Sequence, residues 1–332
     1  RIMKGLYTGG TGPARCALAE GCVGGGHEVT LLLRSSSSRA NLQGKNFKVA
    51  LGSLADKQSL SDAVAGAEII FHAAGVISAN NRAGYFQANA EGTRNIAEAA
   101  LAKAKNLRRF VYVSSLAAAG PAKPESPRRE HDPEAPVSLY GESKLGGELV
   151  LREMKELSSI VVRPPVVYGP RDRGMLTFFK IVEKGFLPII TGRGKNPGGY
   201  SFIHVNDLVD ALMAVGFSAE KFSPAEVFYA AADSIETWPA TMHAMAKALD
   251  VEGRELRIPM GLIHMVAKIA GPFGRLSGAS VALNEDKAKE IAVEYWTCSA
   301  EKLAKKTGFK PLWQLGDGFR QTAQWYRGRG WL

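Results

Sequence analysis

Tyr140 and Lys144, in the run Tyr140-Gly141-Glu142-Ser143-Lys144, set a phenol and an ammonium four residues apart on a predicted helix. At that spacing the two side chains share a face, so the lysine favours the phenolate. A charge pair ~4 Å apart in an effective dielectric of about 20 interacts by ~4 kcal/mol, or roughly three pKa units. Such a shift brings a phenol towards neutrality, where it can exchange a proton with a substrate hydroxyl or carbonyl. By itself the spacing is equally that of an ordinary solvated helix.

A second candidate lies near the start, in Thr8-Gly9-Gly10-Thr11-Gly12-Pro13-Ala14-Arg15. Glycines at a strand-to-helix turn let the backbone approach a pyrophosphate, and the following helix N-terminus offers free N–H groups. Gly9, Thr11, Gly12 and Pro13 are the candidate contacts, with proline acceptable as an early helical residue. Arg15 stands where a dinucleotide fingerprint has its third glycine, which weakens the motif. A tight turn with no ligand is the alternative. The next strand ends at Leu33-Arg34, followed by Ser35 to Ser38 and Arg39. An acidic residue there would accept from the ribose hydroxyls of NAD, whereas arginine can pair with the 2′-phosphate of NADP. The sequence leans to NADP, with NAD as the alternative.

The elements that must position these groups alternate. Strands are predicted at 3–8, 28–33, 47–50, 68–73, 109–114 and 160–163, with helices between them, notably at 85–103 and 139–156. Runs such as Glu68 to Ala74 and Phe110 to Ser115 are apolar on both faces, as strands of a covered parallel sheet must be. The expected fold is α/β, a doubly wound parallel sheet (Rossmann) over residues 1–165, with a smaller substrate-binding lobe over 166–332 interleaved with it. Helices are expected in that lobe at 207–217, 237–249 and 314–325. The proline-rich stretch 121–136 reads as a loop, either a lid or a plain surface excursion.

The 332 residues can bury a large core, and 45% hydrophobic with 22% charged residues suits a globular protein. No apolar run reaches the ~18 residues of a membrane span. The opening Arg1-Ile2-Met3-Lys4 suits a first strand better than a signal peptide. Three cysteines without C-x-x-C spacing argue against structural zinc and a disulfide framework, so the expected compartment is reducing and cytoplasmic, with no metal. The net charge of +10 is scattered, without an aromatic-interleaved basic stripe; it suits an anionic cofactor or substrate rather than nucleic acid.

Six segments then fall in order: TGGTG at 8–12, HAAG at 72–75, the Ser114-Ser115 strand end, YGESK at 140–144, RPPVVYGP at 163–170 and FIHVNDL at 202–208. This succession resembles the extended branch of the short-chain dehydrogenase/reductase superfamily over nearly the whole chain. The resemblance implies Tyr140 as catalytic acid/base, with Lys144 lowering its pKa and bonding the nicotinamide ribose. Ser115 would hydrogen-bond the reacting oxygen, with Ser114 as the alternative. Asn89 matches a residue that orders the site, or is a helix-surface asparagine. Ala73, Ala74 and Gly75 match the loop beside the adenosine ribose and pyrophosphate, and Pro164 to Val167 the segment meeting the nicotinamide carboxamide. Ser35 and Leu54 join the cofactor-binding set. His72 and His204 read as strand-end residues, not metal ligands. Relatives dimerise through helices corresponding to 85–103 and 139–156, so a homodimer is implied.

Departures narrow the reaction. Leu116-Ala117 replace the acidic pair that follows the site serine or threonine in dehydratases of the family, and Gly199-Tyr200-Ser201-Phe202 lacks an arginine that meets the diphosphate in nucleotide-sugar enzymes. The expected activity is an NAD(P)-dependent oxidoreductase acting on a carbonyl or secondary alcohol of a medium-sized substrate. Alternatives are an epimerase of the same fold and a non-catalytic cofactor-binding protein. The apolar segment 258–273 could line an apolar pocket or touch a membrane surface, though core packing is the favoured reading. Four glycines within 13–26 would each cost a helix roughly 1 kcal/mol, so a short or distorted first helix, or an altered sequence, is expected there.

Overall fold

Strands that are apolar on both faces must be covered on both, and one parallel sheet meets that demand. The computed structural model describes residues 2–9, 13–37, 47–192, 197–277 and 284–332, side chains excepted at 13–15 and 269–277. Strand β1 (Lys4–Thr8) leads into helix α1 (Pro13–Gly24), β2 (Glu28–Leu33), β3 (Lys48–Leu51), α2 (Lys57–Val64) and β4 (Ile69–His72). Then come α3 (Arg82–Phe86), a π-helical turn (Gln87–Glu91), α4 (Gly92–Lys103), β5 (Arg109–Val113), the short α5 (Leu116–Ala119), α6 (Leu139–Glu153) and β6 (Ser159–Arg163). The second half supplies β7 (Val166–Tyr168), α7 (Leu176–Glu183), β8 (Phe186–Thr191), β9 (Gly199–His204), α8 (Val205–Gly216), β10 (Glu226–Tyr229) and β11 (Ile235–Glu236). It ends with α9 (Trp238–Leu249), β12 (Arg254–Pro259), α10 (Met260–Ser277), α11 (Glu285–Ala292), β13 (Tyr295–Trp296), α12 (Glu301–Thr307) and α13 (Leu315–Gly328).

Seven strands form the main sheet in the order β10-β6-β5-β4-β1-β2-β3, all parallel. The direction of winding reverses between β1 and β4, which opens a crevice at the carboxyl ends of those strands. β10 comes from the second half, so both halves of the chain build this sheet. One face is packed by α1 and α8 through Leu18, Cys22, Phe71 and Leu212, and the other by α2 and α4 through Leu60, Val64, Ile96 and Phe110. The rest of the second half encloses its own core of Phe179, Trp238, Met242, Phe319 and Tyr326. Of its short strands, β9 ends at His204 as expected, whereas β7, β11, β13 and the parallel pair β12-β8 were not among the predicted elements; β11-β9-β13 form one sheet with β7 on β9.

Against expectation, 13–24 is an unbroken twelve-residue helix. Tertiary packing offsets the glycine cost. Cys16, Leu18, Ala19 and Cys22 are buried, and a Cβ on Gly21 would stand 3.1 Å from Val209 Cγ1, so the absent side chain lets α1 and α8 close on each other. The 121–136 stretch is pinned rather than free to swing: buried Arg128 donates to the carbonyls of Ala119, Gly120 and Pro133, and its own N–H bonds Thr297 O.

The FIHVNDL motif is structural here. His204 caps α8, its Nδ1 accepting from Asn206 N at 3.3 Å, and stacks on Trp313 at 4.2 Å. Asp207 accepts from the N–H groups of Leu312 and Trp313, tying the approach to α13 against α8. Burial pushes the His204 imidazole down from 6.5 to about 4. The unfolded chain therefore binds a proton that the folded one refuses, and stability is lost as pH falls through that window. Urea titrations are expected to show the unfolding free energy declining between these pH values, with His204→Asn, which keeps a capping acceptor, removing up to about 3 kcal/mol of the decline. A variant with the parent's pH dependence would refute this assignment.

Candidate active site

Helix α6 begins where Ser138, in extended conformation, accepts from Gly141 N at 3.0 Å, and carries Glu142 in its first turn and Arg152 in its last, as the helix dipole favours. Tyr140, Lys144 and Glu148 recur every four residues and so share one face. Lys144 is only 4% exposed, yet its Nζ donates to Val113 O at 2.8 Å and stands 4.2 Å from the centroid of the Tyr112 ring. Both partners belong to β5, so the ammonium clamps α6 against the carboxyl end of that strand. Tyr140 is half-buried one turn earlier. Ser115 follows β5 directly as the N-cap of α5, its Oγ accepting from Ala117 N at 3.1 Å. A Cβ on Gly141 would stand 2.4 Å from Ala117 O, so α5 and α6 lie close together and keep Ser115 and Tyr140 at one end of the sheet.

Ser114 points the other way, its hydroxyl donating to Glu148 Oε1. Glu148 and Arg163, both fully buried, form an ion pair with Nε to Oε1 at 2.9 Å, and Arg163 also reaches Glu134 at 2.9 Å and the Tyr229 hydroxyl at 3.2 Å. Burial alone would raise the Glu134 carboxyl, but Arg152 and Arg163 override it and bring the pKa to about 2. This network braces β5, α6, β6 and β10 and engages Ser114, not Ser115; Ser115, Tyr140 and Lys144 are not among the residues lining the cleft at the winding reversal.

Asn89 is fully buried and not on a helix surface. It lies in the π-helical turn, a distortion that is frequent at functional sites. Its Oδ1 accepts from Val76 N at 2.8 Å, while Nδ2 donates to Val76 O at 3.0 Å and Ser143 Oγ at 2.8 Å. One amide thus joins the loop after β4 to the tyrosine helix. Behind it, His72 bonds Thr8 Oγ1 at 2.6 Å and Thr93 Oγ1 at 3.0 Å, and the latter hydroxyl donates to Asn89 O at 2.7 Å. His72 links strand ends, as its motif predicts.

At the winding reversal a cleft of ≈ 410 Å³ is lined by Thr8, Gly9, Leu32, Arg34, Ser37, Gly52 to Ala55, Ala74 to Val76 and part of the 84–88 turn. Gly9, Arg34, Leu54, Ala74 and Gly75 among the sequence candidates meet here. Ala73 supports them through its N–H to Thr8 O at 3.3 Å. Ser35 sits in the exposed turn after β2 and does not line the cleft, and Ser37 does so in its place. Pro164 O accepts from Leu116 N at 2.9 Å and Val167 packs on the core, so neither lines it. Pro13 starts α1, whereas Thr11 and Gly12 lie outside the described residues. Ser53, Val76 and Gln87 are lining residues that no motif marked. Leu32 and Leu54 offer an apolar wall for a purine, small residues allow close backbone approach, and Arg34 and Ser37 supply polar groups at the end of β2. These residues fit a dinucleotide.

The chain matches the family model for the NAD dependent epimerase/dehydratase family over residues 6–232, and it belongs to that family. It is 29% identical over 326 residues to a ceramide reductase from Caulobacter vibrioides, covering 98% of this chain and 95% of that protein. It is 30% identical over 218 residues to sterol demethylase protein B from Methylococcus capsulatus, covering 62% and 64% of the two chains. Among solved structures, the Thermus thermophilus UDP-glucose 4-epimerase in complex with NAD superposes with a TM-score of 0.77 at 22% identity, covering 98% and 99%. Among the described residues no helix is long and apolar enough to cross a membrane.

Gly75 tests the cofactor end. A Cβ there would stand 2.5 Å from Asn89 Oδ1, so alanine must displace either the loop or the amide that holds it. Gly75→Ala is expected to weaken nicotinamide dinucleotide binding by roughly tenfold or more in a fluorescence titration, about 1.4 kcal/mol. Unchanged affinity would remove this loop from the cofactor site.

Proposed function

We propose that the chain is an NADP-preferring oxidoreductase that interconverts a carbonyl and a secondary alcohol on a medium-sized, largely apolar substrate. The observation that carries this reading is the buried Lys144 ammonium, anchored at the end of β5 one turn beyond Tyr140, with Ser115 following the same strand. In the reductive direction Tyr140 gives its phenolic proton to the substrate oxygen, and in the oxidative direction it takes that proton back. Ser115 hydrogen-bonds the same oxygen, and Lys144 favours the phenolate that remains. A nicotinamide cofactor would, when bound, supply or accept the hydride, with Gly9, Arg34, Leu54, Ala74 and Gly75 holding its adenosine half. Acid–base help of this kind is worth roughly 10²–10⁴ in rate.

Helix α10 supports the apolar substrate. Over its described side chains, 260–268, it buries Met260 and Ala267 while Leu262, Met265 and Val266 remain 45%, 53% and 43% exposed, so there core packing accounts for only one face. The ceramide and sterol named for two relatives are apolar as well. The family match also accommodates an epimerase, but β9 buries Gly199 to Phe202 completely and offers no arginine to a nucleotide diphosphate.

A panel of long-chain ketones, sterol ketones, their alcohols and UDP-sugars, followed by nicotinamide absorbance and product analysis, is expected to show stoichiometric cofactor turnover on the apolar compounds. Interconverted UDP-sugars without net cofactor change would replace this proposal with the epimerase. Tyr140→Phe is expected to lower kcat at least 100-fold with cofactor affinity retained, and near-parental turnover would exclude Tyr140 from proton transfer. For Arg34→Ala, calorimetry is expected to show NADPH affinity falling about tenfold with NADH affinity unchanged; an equal loss for both would refute 2′-phosphate recognition.

A further inference from the structure

The first turn of α6 is held by a group that no motif marks. A helix start exposes N–H groups that need acceptors, and here those of Leu139 to Glu142 each have one. Gly141 N bonds Ser138 Oγ at 3.0 Å and Glu142 N bonds Ser138 O at 2.9 Å. The two that remain, Leu139 N and Tyr140 N, both go to the Asp286 carboxylate of α11, at 2.6 Å and 3.2 Å. From the next turn of α11, Glu290 accepts the Ser138 hydroxyl at 2.7 Å and is itself paired with Lys287 at 2.7 Å. The backbone of Tyr140 is therefore gripped by a carboxylate 146 residues away. Packed beside α11 is α10, whose Leu262, Met265 and Val266 are about half exposed.

We propose that Asp286 is a positioning residue for proton transfer: it fixes the backbone of Tyr140 from α11, so that the phenol is aligned only while the α10–α11 unit is seated. This rests on Tyr140 as the acid/base. Asp286 touches neither substrate nor cofactor in this role and acts through the helix it caps. An acceptor on the preceding loop could satisfy the same N–H groups locally, so the choice of α11 makes the chemistry depend on the second half of the chain.

The test compares Asp286→Ala, Asp286→Asn and Thr237→Ala in the full chain. Thr237 caps α9 through Ala240 N at 3.3 Å and serves as a matched loss of a cap elsewhere. With the most rapidly reduced ketone of the panel, Asp286→Ala is expected to lower kcat ten- to a hundredfold, with the NADPH dissociation constant changed by no more than about twofold. Asp286→Asn, which keeps one acceptor, is expected to fall between it and the parent. Thr237→Ala is expected to lower Tm without changing kcat. Amide hydrogen exchange at Leu139 and Tyr140, which needs no turnover, is expected to quicken at least tenfold in Asp286→Ala. Unchanged kcat or unchanged exchange in that variant overturns the proposal, as does an equal loss of kcat in Thr237→Ala. Tyr140→Phe run in parallel separates the two readings: if it stays active, the catalytic assignment and the positioning role fall together; if it is inactive while Asp286→Ala is not, only the positioning role falls.

Discussion

An ammonium withdrawn from water has to be given partners, and Lys144 is the group around which this site is arranged. With 4% of its surface exposed it bonds a β5 carbonyl and lies over a β5 ring, so α6 and β5 cannot separate without stranding a charge. One turn further along α6, Glu148 and Arg163 impose the same condition at 0% exposure. Removing one partner of such a pair typically costs 3–5 kcal/mol, far more than the pair contributes over an apolar substitute. Charge burial here serves alignment more than stability.

From that clamp the polar contacts run towards the cleft at the winding reversal. Ser143 meets Asn89, Asn89 holds Val76, and the Thr8–His72–Thr93 chain fixes the ends of β1 and β4 behind them. Each bond is modest, about 1 kcal/mol net, yet each fills a group that would be costly to leave buried and unpaired. The cleft and α6 are joined by short, largely buried links, as chemistry that holds two reactants in register requires. The second half closes the arrangement from the opposite side through Asp286 and Glu290, beside a helix whose apolar face is only partly covered.

Much of the sheet was legible because its strands are apolar on both faces; the strands at 28–33 and 109–113 lie within a residue of where the pattern puts them. YGESK and the glycine turn marked the two ends of the candidate site. What escaped depends on partners distant in sequence. The short strands of the second half are set by pairings such as Phe186 with Arg254, and they carry no alternation of their own. Asn89 read as ambiguous because a π-turn rotates it inward, which helical periodicity does not anticipate. The α1 glycines looked disruptive until Val209 and Met213 stood opposite Gly21. Asp286 had no local signal, since its partners are backbone amides of another element.

The proposed chemistry is net hydride transfer to a carbonyl carbon while Tyr140 supplies the proton to its oxygen. Incubation with NADPH deuterated at C4 and a long-chain ketone, followed by mass spectrometry of the product and quantification of oxidised cofactor, tests it most directly. The account predicts one deuterium on the carbinol carbon of the alcohol for each cofactor oxidised, and loss of both signals in Tyr140→Phe. Product without deuterium, or stereochemical inversion of a sugar with the cofactor left reduced, would contradict it.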